Sequence, residues 1–174
     1  IISFIGKKKL ISSTIGDLPN DEYLIAKNVN DLSNTDVDFI KIGVYENNYI
    51  NTLSKIASCK KLIAVFFADK FLPSREEILI LKNSGFSGVM IDTSNKNSGN
   101  LFNHVSDTEV HNFISNAKNL NLLTGIAGSI NGSHINQIVK LNPNYMGFRG
   151  ALCEDKQMRN SKISASNVKN IVHL

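Results

Sequence analysis

Lys41 lies between Ile40 and Ile42, inside a β-branched run from Val37 to Tyr45. An amine set among aliphatic neighbours loses hydration, which lowers its pKa and makes it a usable base or nucleophile. The same position also suits an edge-strand lysine that discourages strand-to-strand aggregation. Asp92 closes a second run, Phe86 to Asp92, and Lys96 follows four residues later in an Asn-rich loop. That spacing puts a carboxylate and an ammonium within reach of each other. The plainer alternatives are a turn-forming acid and a solvated loop lysine. Glycines gather in Ala127-Gly128-Ser129-Ile130 and in Gly147-Phe148-Arg149-Gly150-Ala151. Glycine lets backbone N–H groups approach an anion closely, and Arg149 would add a charge-assisted bond. Gly128, Ser129, Gly147, Arg149 and Gly150 are therefore candidate phosphate-binding residues; tight packing at two strand ends is the alternative. Asp17 and Asp69 also close apolar runs, as caps or as partners for a lysine. His104, His111, His134 and His173 show no metal-ligand spacing and no serine or cysteine partner, so they read as surface or packing residues and no metal site is expected. Cys153 carries no sign of activation.

The elements that must hold these residues alternate regularly. The candidate strands are Lys9 to Ile15, Val37 to Tyr45, Lys61 to Ala68, Phe86 to Asp92, Leu122 to Ile130 and Tyr145 to Ala151. Between and after them run helix-period stretches: Asp21 to Leu32, Tyr49 to Ser58, Ser74 to Ser84, Asp107 to Leu120, Ser133 to Leu141 and Ser164 to about Val172. Ile1 to Ile5 read like the end of one more helix. Ser74 with Glu77 forms a capping box, Pro73 precedes it, and Gly85 follows in the usual C-terminal place. Strand–helix alternation of this length predicts a parallel sheet. Within the strands, Ile40, Ile42 and Val44 share one side, and Phe39, Lys41, Gly43 and Tyr45 the other. Val89 and Ile91 likewise oppose Met90 and Asp92, and Met146 and Phe148 oppose Gly147 and Arg149. A doubly wound sheet covers both faces with helices, where those charges would be costly. A TIM-type (β/α)8 barrel instead gathers them at its C-terminal mouth, so the barrel is expected, with six βα units present in this chain.

Composition narrows the function further. The 174 residues suffice for one domain, and 42% apolar with 20% charged residues is a globular profile. The apolar runs stop far short of a membrane span, and no basic, apolar leader opens the chain. Cys59 and Cys153 make neither a disulfide framework nor a zinc site, so a cytoplasmic protein is expected. The net charge of +4 comes from dispersed lysines, with only Arg75, Arg149 and Arg159 as arginines. Lys7-Lys8-Lys9 and Lys60-Lys61 read as solvated turns, and no nucleic-acid partner is expected.

Five stretches in order resemble one family: Ser13-Thr14-Ile15-Gly16-Asp17-Leu18-Pro19, Asp38-Phe39-Ile40-Lys41-Ile42-Gly43, Met90-Ile91-Asp92-Thr93 with Lys96, Ala127-Gly128-Ser129-Ile130, and Phe148-Arg149-Gly150-Ala151-Leu152-Cys153. Arg159-Asn160 with Ile163 fits the same pattern. They look like (5-formylfuran-3-yl)methyl phosphate synthase, and the resemblance runs over essentially the whole chain. It implies a (β/α)8 barrel that condenses two glyceraldehyde 3-phosphate molecules into a furan phosphate for methanofuran, losing phosphate and water. The implied chemistry is a Schiff-base, aldol-like lyase reaction without metal or organic cofactor. The resemblance makes Lys41 the proton acceptor and Asp92 and Lys96 further active-site residues, and it gives the two Gly-rich loops the substrate phosphates.

The sequence also departs from that family. Its Schiff-base lysine, in an Asp-x-Lys motif on the second strand, has no counterpart here, and Phe67 stands where the family prefers tyrosine. With six units and Ile1 in first place, residues 1–174 are expected to form a single partial barrel lacking the first two βα units. Such a chain is expected to be inactive alone, with open edges that a second polypeptide or self-association into a homo-oligomer would close. The alternatives are another phosphate-binding barrel enzyme, an aldolase or sugar-phosphate isomerase, and a non-catalytic assembly partner.

Overall fold

The computed structural model describes residues 2–5, 8–58, 60–155, 158 and 160–173. Ile1, Lys7, Cys59 and Arg159, which entered the sequence reading, lie outside them. Six strands form one sheet: β1 (Ser12–Thr14), β2 (Phe39–Val44), β3 (Lys61–Phe67), β4 (Gly88–Asp92), β5 (Leu123–Ile126) and β6 (Tyr145–Met146). Every pairing is parallel and the spatial order is the chain order, β1-β2-β3-β4-β5-β6. A doubly wound sheet reverses its order partway; this one never does. Each crossover therefore packs its helix on the same face.

The helices are α1 (Ile2–Ile5), α2 (Glu22–Ser33), α3 (Tyr49–Leu53), α4 (Arg75–Asn83), α5 (Asp107–Asn119), α6 (Ile135–Leu141) and α7 (Ala165–Val172). Their starts follow local side-chain chemistry. Asp21 accepts from the Leu24 N–H, and the Ser74–Glu77 and Ser106–Glu109 capping boxes open α4 and α5. None of these helices is long and apolar enough to cross a membrane.

Burial divides the sheet as the alternation predicts. Ile40, Ile42, Val44, Leu62, Ala64, Phe66, Val89, Ile91 and Ile126 join Ile25, Val29, Ile78, Leu81, Val110 and Phe113 from the helices in the main core. A second, smaller cluster occupies the opposite face: Ile63, Val65, Met90 and Ala127, flanked by Phe39, Phe67 and Tyr145. That face holds Lys41 and Asp92.

Several elements are shorter than the sequence pattern suggests. The stretch Tyr49 to Ser58 is helical only to Leu53, because the Ser54 hydroxyl bonds the Asn51 carbonyl and the chain tightens through Lys55 N–H to Thr52 O and Ile56 N–H to Leu53 O. β5 stops at Ile126 because Gly128 (φ 108°) and Ser129 (φ 50°) turn the chain through the left-handed region. β6 keeps two residues of the expected seven, after which Gly150–Leu152 coil into a 3-10 turn.

Candidate active site

Register places the inward side chains in rows. Lys41 is level with Thr14 and Ile63, Gly43 with Val65, Met90, Gly125 and Tyr145, and Phe67 with Asp92. Lys41 thus stands four residues, about 13 Å, below the Phe67–Asp92 row along the strands. Above it opens a cleft of ≈ 420 Å³ lined by Lys41, Asp92, Lys96, Asp17, Tyr45 and Thr93 among others. Lys41 also borders a second, more apolar hollow of ≈ 350 Å³ toward the strand starts, walled by Phe39, Ile63, Leu123 and Tyr145.

β2 is paired on both sides, so the edge-strand explanation of Lys41 does not apply. Its side chain is half-buried and forms neither an ion pair nor a hydrogen bond with any described residue. An amine held this way keeps its hydrogen-bonding capacity for a ligand.

Asp92 and Lys96 meet as the spacing predicts. Lys96 Nζ donates to Asp92 Oδ1 at 2.6 Å, with side chains 25% and 27% exposed, which shelters the pair from full solvent screening. The same ammonium donates to the Thr93 carbonyl, and the Thr93 N–H donates to Asp92 Oδ1 at 2.7 Å. All these bonds to the carboxylate fall on Oδ1; no described residue donates to Oδ2.

Asp69 holds the loop that carries Lys96. Its Oδ1 accepts from the Ser94 N–H at 2.6 Å, and its Oδ2 from the Ser94 hydroxyl at 2.6 Å and the Asn95 N–H at 2.8 Å. Burial works to raise this carboxyl, but the Ser94 hydroxyl and the Asn95 and Ser94 N–H groups outweigh it and hold its pKa at about 2. Asp17 accepts from the Tyr45 hydroxyl. Among the described residues neither acid pairs with a lysine, so the partners are loop N–H groups and hydroxyls.

The Gly-rich residues lie elsewhere: none of Gly128, Ser129, Gly147, Arg149 and Gly150 lines the cleft. Gly128 lies against the back of Thr93, where a Cβ would come within 3.0 Å of Thr93 Cγ2, and its carbonyl accepts from Leu101 N–H. The Gly147 N–H is engaged by the Ile126 carbonyl at 2.8 Å. Arg149 is exposed and donates from Nη1 to the sulfur of buried Cys153 at 3.3 Å. Ser129 is exposed, and Gly150 faces open space. His134 helps cap its own turn, with Nδ1 accepting from Asn131 N–H, and stacks near Phe102; His104 bonds Ser98.

Tyr45 is the site residue that sequence reasoning passed over. It shares a face with Lys41 and Gly43, four and two residues earlier, and that periodicity was the available signal. Its ring stacks on Phe67 at 4.7 Å and folds over Gly43, where a Cβ would sit 3.0 Å from it.

Comparison with known proteins gives a consistent picture. The family model described as 4-HFC-P synthase matches residues 1–172. A (5-formylfuran-3-yl)methyl phosphate synthase of Archaeoglobus fulgidus is 29% identical over 170 residues, covering 88% of this chain and 72% of the relative. Enzymes of the same name from Methanocaldococcus jannaschii and Methanococcus aeolicus are 27% and 26% identical, each match covering 97% of this chain and 78% of the relative. A crystal structure of Aspergillus fumigatus Ega3 with galactosamine overlaps 76% of this chain and 63% of its own at 15% identity, with a TM-score of 0.38, too loosely to carry fold or chemistry across.

Proposed function

Because the chain belongs to the 4-HFC-P synthase family, the (5-formylfuran-3-yl)methyl phosphate synthases of methanofuran biosynthesis, we propose that its cleft serves the condensation of two glyceraldehyde 3-phosphate molecules into that furan phosphate, with loss of phosphate and water. The observation that carries this reading is one cleft holding an amine with no partner among the described residues, Lys41, together with the Asp92–Lys96 ion pair. Joining two aldehydes requires removal of a proton from the carbon next to a carbonyl, and elimination requires protons at the departing oxygens. Lys41 takes the first proton. Asp92 accepts a substrate hydroxyl through Oδ2, and Lys96 delivers positive charge and a proton to a leaving oxygen. The imine-forming lysine of the Asp-x-Lys motif has no counterpart among these residues, so the Schiff-base step is assigned to none of them. Phosphate contacts at Gly128, Ser129, Gly147, Arg149 and Gly150 belong to the same proposal, as does closure of the sheet into an eight-stranded barrel. The unbroken strand order and the helices confined to one face support that closure.

The test gives the protein carrying this chain glyceraldehyde 3-phosphate and follows furan absorbance, product mass and inorganic phosphate. The expected result is one phosphate released per furan aldehyde formed. Cleavage or isomerisation to another sugar phosphate, without a furan, would overturn the condensation in favour of a different barrel enzyme. Unchanged substrate would overturn the catalytic reading.

A further inference from the structure

The part of the cleft lining that follows β1 and β2 includes two residues to which nothing above gives a role in substrate recognition. Asp17 follows β1 just after Gly16 (φ 86°), which turns the chain at the rim, and Tyr45 follows β2. The Tyr45 hydroxyl donates to Asp17 Oδ1, and no described residue donates to Asp17 Oδ2. Three contacts fix the phenol: the Phe67 stack, the space above Gly43, and an edge contact with Tyr49 at 5.9 Å. Tyr49 is itself tied down, its hydroxyl donating to the Leu18 carbonyl at 2.9 Å. Burial, followed by the bond to and charge of Asp17, raises the Tyr45 pKa well above the ordinary phenol value, so the hydroxyl keeps its proton at every working pH.

We propose that Asp17 and Tyr45 form a polar subsite for the hydroxyl-bearing carbons of a phosphorylated three-carbon substrate. The chemistry follows from the donor set. A carboxylate oxygen without a donor takes a substrate O–H, while the phenol oxygen, its own proton committed to Asp17, accepts a second O–H. The negative charge on Asp17 disfavours a phosphate at this wall, which orients the substrate with its anionic end away from Asp17 and its hydroxyls toward it. The subsite rests on the cleft being the substrate site, but not on Lys41 performing the chemistry.

The probes are glycerol 3-phosphate and n-propyl phosphate, which differ only in the two hydroxyls, titrated by calorimetry into the protein carrying this chain. Wild type binds glycerol 3-phosphate about tenfold more tightly, the magnitude of one hydrogen bond to a charged group. Asp17→Asn and Tyr45→Phe, both close in shape to the residues they replace, reduce that ratio toward one. Asp17→Asn binds n-propyl phosphate at least as tightly as wild type, because the charge that disfavours the phosphate is gone, and Tyr45→Phe leaves that affinity unchanged. Lys41→Ala keeps the ratio and loses furan formation, so the subsite and the condensation reading fail separately. A wild-type ratio near one, absence of binding by both probes, or a ratio that survives both rim substitutions overturns the proposal.

Discussion

Between β1 and β4, Lys41, Asp92, Lys96, Asp17 and Tyr45 border one cleft, and each acid there is engaged by a hydroxyl, an ammonium or a loop N–H. Between β5 and the turn after β6, a comparable number of suggestive residues is taken up differently. Gly128 makes room for Thr93, Gly147 continues the parallel pairing, and Arg149 bonds the thiol of Cys153. Strand length separates the two regions. β2, β3 and β4 run five to seven residues and stack their inward side chains in register, whereas β6 offers two. A row of side chains needs a ladder beneath it; where the ladder stops, these residues lie outside the cleft and make packing contacts and local bonds.

Substitutions can break or sharpen this contrast. Lys41→Ala should lower the rate of furan formation by about 10²–10⁴-fold, the usual worth of a positioned proton acceptor, with an unchanged melting temperature. Arg149→Ala should cost far less, and a larger loss from Arg149 in the same initial-rate assay would reverse the comparison. Gly125→Ala should destabilise the sheet by ~1–3 kcal/mol in chemical denaturation, because its Cβ would lie 2.3 Å from the Tyr145 ring. Tyr145 is itself packed deeply enough that burial pushes its pKa up to about 12, and a shifted tyrosine titration in the variant would confirm which ring moved.

Asp69→Asn tests the loop clamp through pH. The folded carboxyl sits at about 2 against an ordinary 3.8, so its ionised form stabilises the fold above about pH 4. That contribution is lost as pH falls through about 2. The stability gap between wild type and the Asn variant should therefore be full near neutrality and close between pH 4 and pH 2; a gap independent of pH would contradict the clamp. The smallest effect is expected at Gly150→Ala, where a Cβ meets nothing within 4 Å and φ is not in the left-handed region. Its unfolding free energy should stay within about 0.5 kcal/mol of wild type.

The alternation of aliphatic and polar residues in β2 and β4 made the two faces of the sheet legible in the sequence, because a strand's period of two is strict. The i,i+4 approach of Asp92 and Lys96 was legible for the same local reason. Asp69 was visible as an acid but its partners were not, since Ser94 lies 25 residues away in the loop after the next strand. Tyr45 stood in plain view on the Lys41 face, yet an aromatic at a strand end usually signals core. Only the stack on Phe67 and the bond to Asp17 set it at the rim. The glycines read two ways for a physical reason: close approach to an anion and close approach to a neighbouring loop require the same missing Cβ.

The contrast between the two regions is tested most directly by a lysine footprint. The protein carrying this chain is reductively methylated with and without saturating glycerol 3-phosphate, and modification at each lysine is read by mass spectrometry. The account predicts that Lys41 and Lys96 are protected by ligand while exposed Lys27 and Lys140, outside the cleft, are modified at the same rate in both samples. Equal modification of Lys41 with and without ligand, under conditions where binding is verified, would place the substrate elsewhere and contradict the account.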